Sequence, residues 1–203
     1  MHTDYYRRKL PHWQPAGATF FVTFRLAGSI PLEKLREFEY LHAFKRHQIQ
    51  QNRSLDPEMV AAHLTAEHKR HFARVDDWMD KNLNAPHFLG IPEVATLVAA
   101  TIREKEGEWY IVNACCIMPN HVHLLLTLHE SAPPLTKVMQ RIKGVSGYHA
   151  NKLLQRKGQF WERESYDHVV RNESSFARIV AYIRNNPVKA GFVKRWEDWP
   201  WTF

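Results

Sequence analysis

The sequence predicts an α+β protein in which an antiparallel sheet carries helices mainly on one face, as in ferredoxin-like and RNA-recognition-like folds. Two strand-like segments, residues 109–117 and 121–128, are separated only by a turn that contains Pro119 and Asn120. This spacing predicts an antiparallel hairpin. The predicted elements follow the order strand, helices, strand, strand, helix, strand, which is typical of such sandwiches.

The N-terminal half is predicted to hold one strand and a helical insertion. Residues 18–25 are rich in β-branched and aromatic residues, which favours a strand in the centre of the sheet. Residues 31–50 and 57–83 are predicted helices, each opened by a proline. Because these helices are polar and rich in histidine, we expect them to form an outer lobe, an insertion at about 31–90 within a single domain spanning 1–203.

The C-terminal half is predicted to alternate helices and strands. A helix starts near Pro92, and another extends over about 135–155. A short strand at 159–161 follows. The last helix is predicted to be capped by Asn172 or Ser174 and to end at about Asn185, because the residue before Pro187 avoids the helical region.

A pair of histidines on the second hairpin strand is the first candidate site. Side chains alternate across a strand, so His121 and His123 share one face while Val122 and Leu124 share the other. Two imidazoles side by side can hold a divalent metal. The pair could equally cap a wet sheet edge. Asn120 beside it cannot act as an acid or base, which weakens a hydrolytic metalloenzyme.

The last helix carries the second candidate site. At about 100° per residue, Tyr182 falls at the edge of the apolar stripe of this helix. Asn186 lies one turn further on, so its amide can project from the same side. The residues alone also allow a boundary tyrosine with a wet hydroxyl and an ordinary helix-end asparagine.

Basic charge is concentrated in the C-terminal third of the chain. The net charge is +7, and residues 137–195 contain thirteen Lys and Arg against four Asp and Glu. This segregation favours a nucleic-acid partner, although charge runs often form only a solvated helical surface. The residues predicted to contact the phosphate backbone of a nucleic acid are Arg141, Lys143, Arg163, Arg184 and Lys189.

The apolar segments and the cysteines indicate the cellular compartment. No apolar run approaches the roughly 18 residues of a membrane span, and the N-terminal residues lack a signal peptide. The two cysteines, Cys115 and Cys116, are adjacent on a predicted strand and cannot pair sensibly. We therefore expect a cytoplasmic protein with no membrane partner.

Three ordered motifs resemble a known family. "MPNHVHLLL", "GQFWERESYDHVVRNE" and "YIRNNPVKAGFV" together resemble the single-tyrosine HUH transposases, and most closely the IS200-like, REP-associated tyrosine transposases of bacteria. REP denotes a repetitive extragenic palindromic element. The resemblance extends from the early "TFFVTFRL" strand to the C-terminal "DWPW". It implies an HUH nuclease core. The helical insertion at 31–90 is additional to the minimal core of that family.

The resemblance also implies a chemistry. His121, His123 and Asn186 would bind a divalent metal, Mg²⁺ or Mn²⁺, and Tyr182 would attack DNA to form a 5′-phosphotyrosine. A tyrosine hydroxyl, with an ordinary pKa near 10, needs such a metal to polarise the phosphate. The implied partner is single-stranded DNA with a hairpin, and the implied protein is a monomer rather than a dimer.

The sequence leaves open two rival nucleophiles and one different class of function. Tyr148 and Tyr166 compete with Tyr182 as nucleophile, and Tyr166 is the stronger rival because Asp167 and His168 follow it. A different class of function is a non-catalytic nucleic-acid binder on an RNA-recognition-like sheet. Its stacking residues would be Phe20, Phe21, Phe24 and Trp109.

Overall fold

The computed structural model describes residues 17–82 and 86–203, and within them it contains one four-stranded antiparallel sheet. The strands are β1 (Thr19–Leu26), β2 (Tyr110–Ile117), β3 (His121–Leu128) and β4 (Trp161–Val170). Their order across the sheet is β2-β3-β1-β4. The predicted hairpin is therefore formed by β2 and β3, and β1 lies inside the sheet as expected. The N-terminal residues examined for a signal peptide and position 83 lie outside the described ranges.

Within residues 17–82 and 86–203, five α-helices connect and cover the strands. They are α1 (Leu32–Gln51), α2 (Pro57–Lys81), α3 (Pro92–Arg103), α4 (Leu135–Leu153) and α5 (Glu173–Lys189). The side chain of Asn172 caps α5 by accepting the Ser175 N–H at 2.8 Å, so the first of the two predicted caps is used. No helix of the described ranges is sufficiently long and apolar to pass through a lipid bilayer.

Alternation along the strands separates two apolar layers. Phe20, Val22 and Phe24 of β1 face α3 and α4, where they join the larger core. Phe21 points the other way, into a smaller cluster that includes Ile183 of α5. The predicted α+β class with an antiparallel sheet is confirmed, and the structure adds that α5 covers the second face.

Two predicted boundaries in the C-terminal half were wrong. A strand was predicted at 159–161, but β4 begins only at Trp161 and extends to Val170. It is longer because it pairs with β1 over this range, and its charged residues suit an edge strand. The last helix passes through Pro187 instead of ending before it. Its final turn is held by the Ala190 N–H bonded to the Asn186 carbonyl at 3.0 Å, and the proline only removes one donor.

The insertion forms a helical pair with a small apolar contact of its own. Helices α1 and α2 pack together, and Ile30, Phe38 and Met79 form a buried cluster between them and the adjacent loop. Phe72 of α2 also packs into the cluster beneath the sheet. The expectation of an outer lobe was therefore wrong for α2, which lies against the sheet face that carries the histidine pair.

Candidate active site

The two histidines of β3 are wholly buried, and their Nε2 atoms lie 3.0 Å apart. The Asn120 amide donates to the Met79 carbonyl at 3.0 Å, so its oxygen faces His121 and accepts the Nδ1 proton at 2.6 Å. His123 Nδ1 is bonded to the Thr23 hydroxyl at 2.7 Å. These outer bonds leave both Nε2 lone pairs pointing at the same place, which is how proteins orient metal-binding histidines.

Helix α2 brings acidic groups to this pair. Asp76 is 1% exposed, and its Oδ1 lies 3.3 Å from His123 Nε2 and 3.8 Å from His121 Nε2. Asp80 Oδ1 lies 4.0 Å from His121 Nε2. One ligand atom from each of Asp76, His121 and His123 fits within 4.8 Å of the others. Sequence reasoning considered only Asn120 as a neighbour of the histidines and missed these two acids, so its argument against a hydrolytic metalloenzyme loses its basis.

A sequence signal for Asp76 does exist. Asp76 and Asp80 are one helical turn apart and share the side of α2 that holds the apolar residues Phe72 and Met79. Acids within an apolar stripe are rarely buried unless they have a partner. This pattern on a helix far away in sequence points to a site, but it does not identify the histidines as partners.

Three buried oxygens in the described part of the site accept no hydrogen bond: Asp76 Oδ1, Asp80 Oδ1 and Asn186 Oδ1. A buried polar atom without a partner is costly, and native proteins usually provide one. A divalent cation would satisfy these oxygens and the two Nε2 atoms together. The buried Asp and His cluster therefore has the composition of a divalent metal site.

Helix α5 brings the predicted tyrosine and asparagine to the same place. The Tyr182 hydroxyl donates a hydrogen bond to Asp76 Oδ2. Asn186, 1% exposed, donates from Nδ2 to His123 Nε2 at 3.1 Å. Lys189 Nζ lies 2.9 Å from Asp80 Oδ2 and 3.7 Å from Asp76 Oδ2. Positions 182, 186 and 189 lie on one side of the helix, which explains why they converge.

The surroundings set the charge of these groups. Burial, assisted by His123, lowers the pKa of His121 to about 3, so its imidazole stays neutral and keeps its lone pair. Burial alone would raise the pKa of Asp76, but His123, His121 and the Tyr182 hydroxyl outweigh it and the pKa falls well below its usual range. Burial and then Asp76 raise the pKa of Tyr182, which remains a phenol in this arrangement.

The rival tyrosines lie elsewhere. Tyr148 is 67% exposed on α4. Tyr166, on β4, stacks on Phe72 with ring centroids 4.1 Å apart, and burial followed by Asp167 raises its pKa to about 12. Of the three tyrosines, Tyr182 is the one whose hydroxyl bonds to the Asp and His cluster.

The aromatic residues of the alternative binding hypothesis are not available to bases. Phe20 and Phe24 are 1% exposed beneath α3 and α4, and Phe21 is 5% exposed beneath α5. Trp109 is partly buried against the larger core. Since helices cover both faces, this sheet cannot act as a stacking platform of the RNA-recognition type.

The five candidate DNA contacts lie on three elements. Arg141 of α4 forms an ion pair with Glu104 at 2.5 Å, and Lys143 donates to the Arg163 carbonyl at 2.9 Å. Arg184 of α5 lies over the Trp196 ring at 4.8 Å. Arg163 is exposed on β4. Lys189 is the candidate that the structure brings to the histidine cluster.

Comparisons with known proteins agree on one family. Residues 91–186 match the family model described as Transposase IS200 like. A REP-associated tyrosine transposase of Escherichia coli K12 is 30% identical over 139 residues, which cover 68% of this chain and 81% of that protein. A Haemophilus influenzae relative, also assigned to the REP-associated tyrosine transposases, is 32% identical over 98 residues, which cover 44% of this chain and 56% of that protein.

A solved structure shares the fold. It is a REP-associated tyrosine transposase bound to a REP hairpin, with a TM-score of 0.54 and 17% sequence identity. The superposition covers 97% of this chain and 82% of that one. At this identity the similarity supports the fold alone.

Proposed function

Because this chain belongs to the REP-associated tyrosine transposases, we propose that it cleaves and joins single-stranded DNA through a covalent bond to Tyr182. The observation that carries the proposal is the convergence of Tyr182, Asn186 and the two histidines, which come from distant parts of the sequence, at one buried point. A solved member of this family is bound to a REP hairpin, which supports hairpin DNA as the substrate of this chain as well.

The proposed metal ligands are His121, His123 and Asn186, with Asp76 as a fourth. Half a turn of the Asn186 amide would present its unpaired oxygen where its nitrogen now faces His123. The oxygen and imidazole donors, without a thiolate, suit Mg²⁺ or Mn²⁺. When bound, such an ion supplies charge stabilisation at a non-bridging oxygen of the scissile phosphate.

The side chains themselves perform the proton and bond changes. Asp76 Oδ2 holds the Tyr182 hydroxyl and accepts its proton as the tyrosine oxygen attacks phosphorus. The new bond joins Tyr182 to the 5′-phosphate as the bond from phosphorus to the 3′ oxygen breaks. The strongly acidic Asp76 holds the tyrosine proton only transiently and passes it on to the departing 3′ oxygen, which leaves as a 3′-hydroxyl. The covalent link conserves the phosphodiester energy, so a 3′-hydroxyl can reverse the step and join strands.

The remaining features of the proposal concern the whole molecule. Arg141, Lys143, Arg163, Arg184 and Lys189 are the proposed backbone contacts, and Arg163 and Lys189 have the best positions because β4 and α5 border the site. The chain is proposed to act as one domain and as a monomer. The insertion at 31–90 then belongs to the active centre, since it supplies Asp76.

One experiment tests this function. Labelled single-stranded DNA that contains a REP hairpin is incubated with the protein and Mn²⁺ and then denatured. We expect a protein–DNA adduct that survives denaturation and that excess chelator prevents. Absence of the adduct with both Mn²⁺ and Mg²⁺ would contradict the proposal, and an adduct that forms in chelator would contradict its metal dependence.

A further inference from the structure

Helix α4 carries positive charge without any acidic residue. Its nineteen residues include Lys137, Arg141, Lys143 and Lys152 and neither Asp nor Glu. Each of the other four α-helices within the described ranges contains acidic side chains. A helix whose charged side chains are all basic has the electrostatic pattern of a surface that meets a polyanion.

Five exposed residues of α4 form one continuous row, which we name the α4 ridge. It consists of Lys137, Gln140, Gly144, Tyr148 and Lys152, which are all exposed and three or four residues apart. This spacing places them on a single side of the helix. From Lys137 to Lys152 the ridge extends about 22 Å at 1.5 Å per residue.

The centre of the ridge is bare. An added Cβ at Gly144 would meet no heavy atom within 4 Å, so no packing requirement keeps the position small. Glycine inside a helix lowers its stability relative to alanine, and its usual benefit is close approach of another backbone. An open groove lined by Lys137, Gln140, Arg141, Gly144 and Val145 lies here.

Two of the basic residues of α4 already bond to other groups of the protein and do not carry the inference. Arg141 pairs with Glu104, and Lys143 bonds to the Arg163 carbonyl and to the Ser165 hydroxyl at 3.1 Å. The argument depends on the exposed Lys137 and Lys152 and on the bare centre between them.

The ridge and the active site lie on opposite faces of the sheet but share an edge. Helix α4 packs on the face away from the histidines, and Trp161 Nε1 of β4 donates to Ser146 Oγ of α4 at 2.9 Å. Strand β4 is one of the two edge strands, and its Tyr166 lies on the active-site face. A nucleic acid could therefore lie along α4 and pass around β4, past the exposed Arg163, to Tyr182.

We infer that the α4 ridge binds the phosphate backbone of the double-stranded stem of the hairpin, while the adjoining single strand reaches Tyr182 around β4. This inference rests on the proposed function and adds a binding surface to it. A duplex fits because the ridge offers cations at both ends and polar donors, Gln140 and Tyr148, between them, and such groups contact phosphates without reading sequence.

The test uses Gly144→Glu, which places a negative side chain at the bare centre where space is open. Gly144→Ala is the matched control without charge, and Gln50→Glu adds the same charge to exposed α1. Binding is measured by fluorescence anisotropy against a hairpin with a single-stranded extension and against the extension alone. We expect Gly144→Glu to weaken hairpin binding at least about tenfold, while both controls stay within about twofold.

The same variants are tested for salt dependence and for adduct formation. Lys137→Ala with Lys152→Ala should flatten the log–log salt dependence of hairpin binding by about two units. Adduct formation on the extension alone should be unchanged in Gly144→Glu. Hairpin binding within twofold of wild type in Gly144→Glu, or an equal loss for the extension alone, overturns the inference. If the wild-type protein forms no adduct but Gly144→Glu still weakens hairpin binding, the proposed function is contradicted while binding of the hairpin by the α4 ridge is supported.

Discussion

Tyr182 donates its hydroxyl hydrogen bond to Asp76, a residue 106 positions earlier on a different helix. The other oxygen of the same carboxylate faces the buried histidine pair. Asp76 therefore connects the proposed nucleophile to the proposed metal ligands. It belongs to the helical insertion, so the proposed chemistry assigns the insertion a part in the active centre.

Removing the charge of Asp76 should weaken metal binding. Asp76→Asn keeps the side-chain shape but replaces a carboxylate that lies 3.3 Å from His123 Nε2. We expect the affinity for Mn²⁺, measured by isothermal titration calorimetry, to fall at least about tenfold. Asp77→Asn is the control, because the Asp77 side chain is 46% exposed and pairs with Lys81 on the surface. Equal affinity in Asp76→Asn and wild type would remove Asp76 from the metal site.

Substitution of the nucleophile should separate chemistry from binding. Tyr182→Phe removes one oxygen and leaves the ring between Phe21 and Phe72. The variant should bind Mn²⁺ and DNA within about twofold of wild type but form no adduct. Tyr166→Phe is the control and should still form it. Mass spectrometry of the wild-type adduct gives an independent answer, since a nucleotide found on Tyr166 would overturn the assignment.

Loss of a histidine should remove the metal and spare the DNA. His123→Ala deletes a ligand whose ring is held by Thr23 and Asn186. We expect Mn²⁺ affinity to fall more than about a hundredfold and adduct to become undetectable. Affinity for hairpin DNA should change little, because phosphate contacts from Lys and Arg dominate it. Adduct formation by this variant in excess chelator would refute the role of the pair.

Two glycines of α4 should respond in opposite ways to alanine. Gly144→Ala meets no neighbour and should stabilise the protein by about 0.5–1 kcal/mol. At Gly147 the new Cβ would lie 3.3 Å from both Phe160 Cβ and Trp161 Cδ1, so overpacking should cost on the order of 1 kcal/mol or more. Urea unfolding midpoints measure both effects. If Gly147→Ala stabilised the protein, Phe160 and Trp161 would have to move away from α4 at little energetic cost.

Acid should destabilise the insertion through its histidines. Burial, and then the charges of His42 and Arg74, lower the pKa of His71 to about 4 from its ordinary value of 6.5. Between these values the unfolded chain binds more protons than the folded one, so stability falls as the pH is lowered through this window.

The contribution of His71 can be isolated by substitution. We expect the loss of unfolding free energy between pH 7 and pH 5 to be smaller in His71→Gln than in wild type. His47→Gln, which removes an exposed histidine from α1, is the control. The urea midpoint at each pH is the measurement, and an unchanged pH dependence in His71→Gln would show that this buried ring does not set the acid sensitivity.

Local patterns in the sequence were sufficient to predict the antiparallel sheet, the hairpin and the side of each element on which the candidate residues lie. Alternation placed His121 and His123 on one face of β3, and helical spacing placed Asn186 one turn beyond Tyr182, because both periodicities are properties of the local backbone. The ends of β4 and α5 were predicted wrongly. For β4, the pairing with β1 extends the strand beyond the short segment that the local residues indicate. For α5, the backbone bonds of the last turn outweigh the tendency of proline to end a helix.

The contacts between residues far apart in the sequence depend on how the helices pack on the sheet. Asp76 and Lys189 are ordinary charged residues in their own helices, and their proximity to the histidines follows from the packing of α2 and α5 on one face of the sheet. The same packing covers Phe21 and removes it from contact with bases. Local periodicity tells which side of an element a residue occupies, but the partner opposite that side depends on how the layers are stacked, and this information is spread over the whole chain.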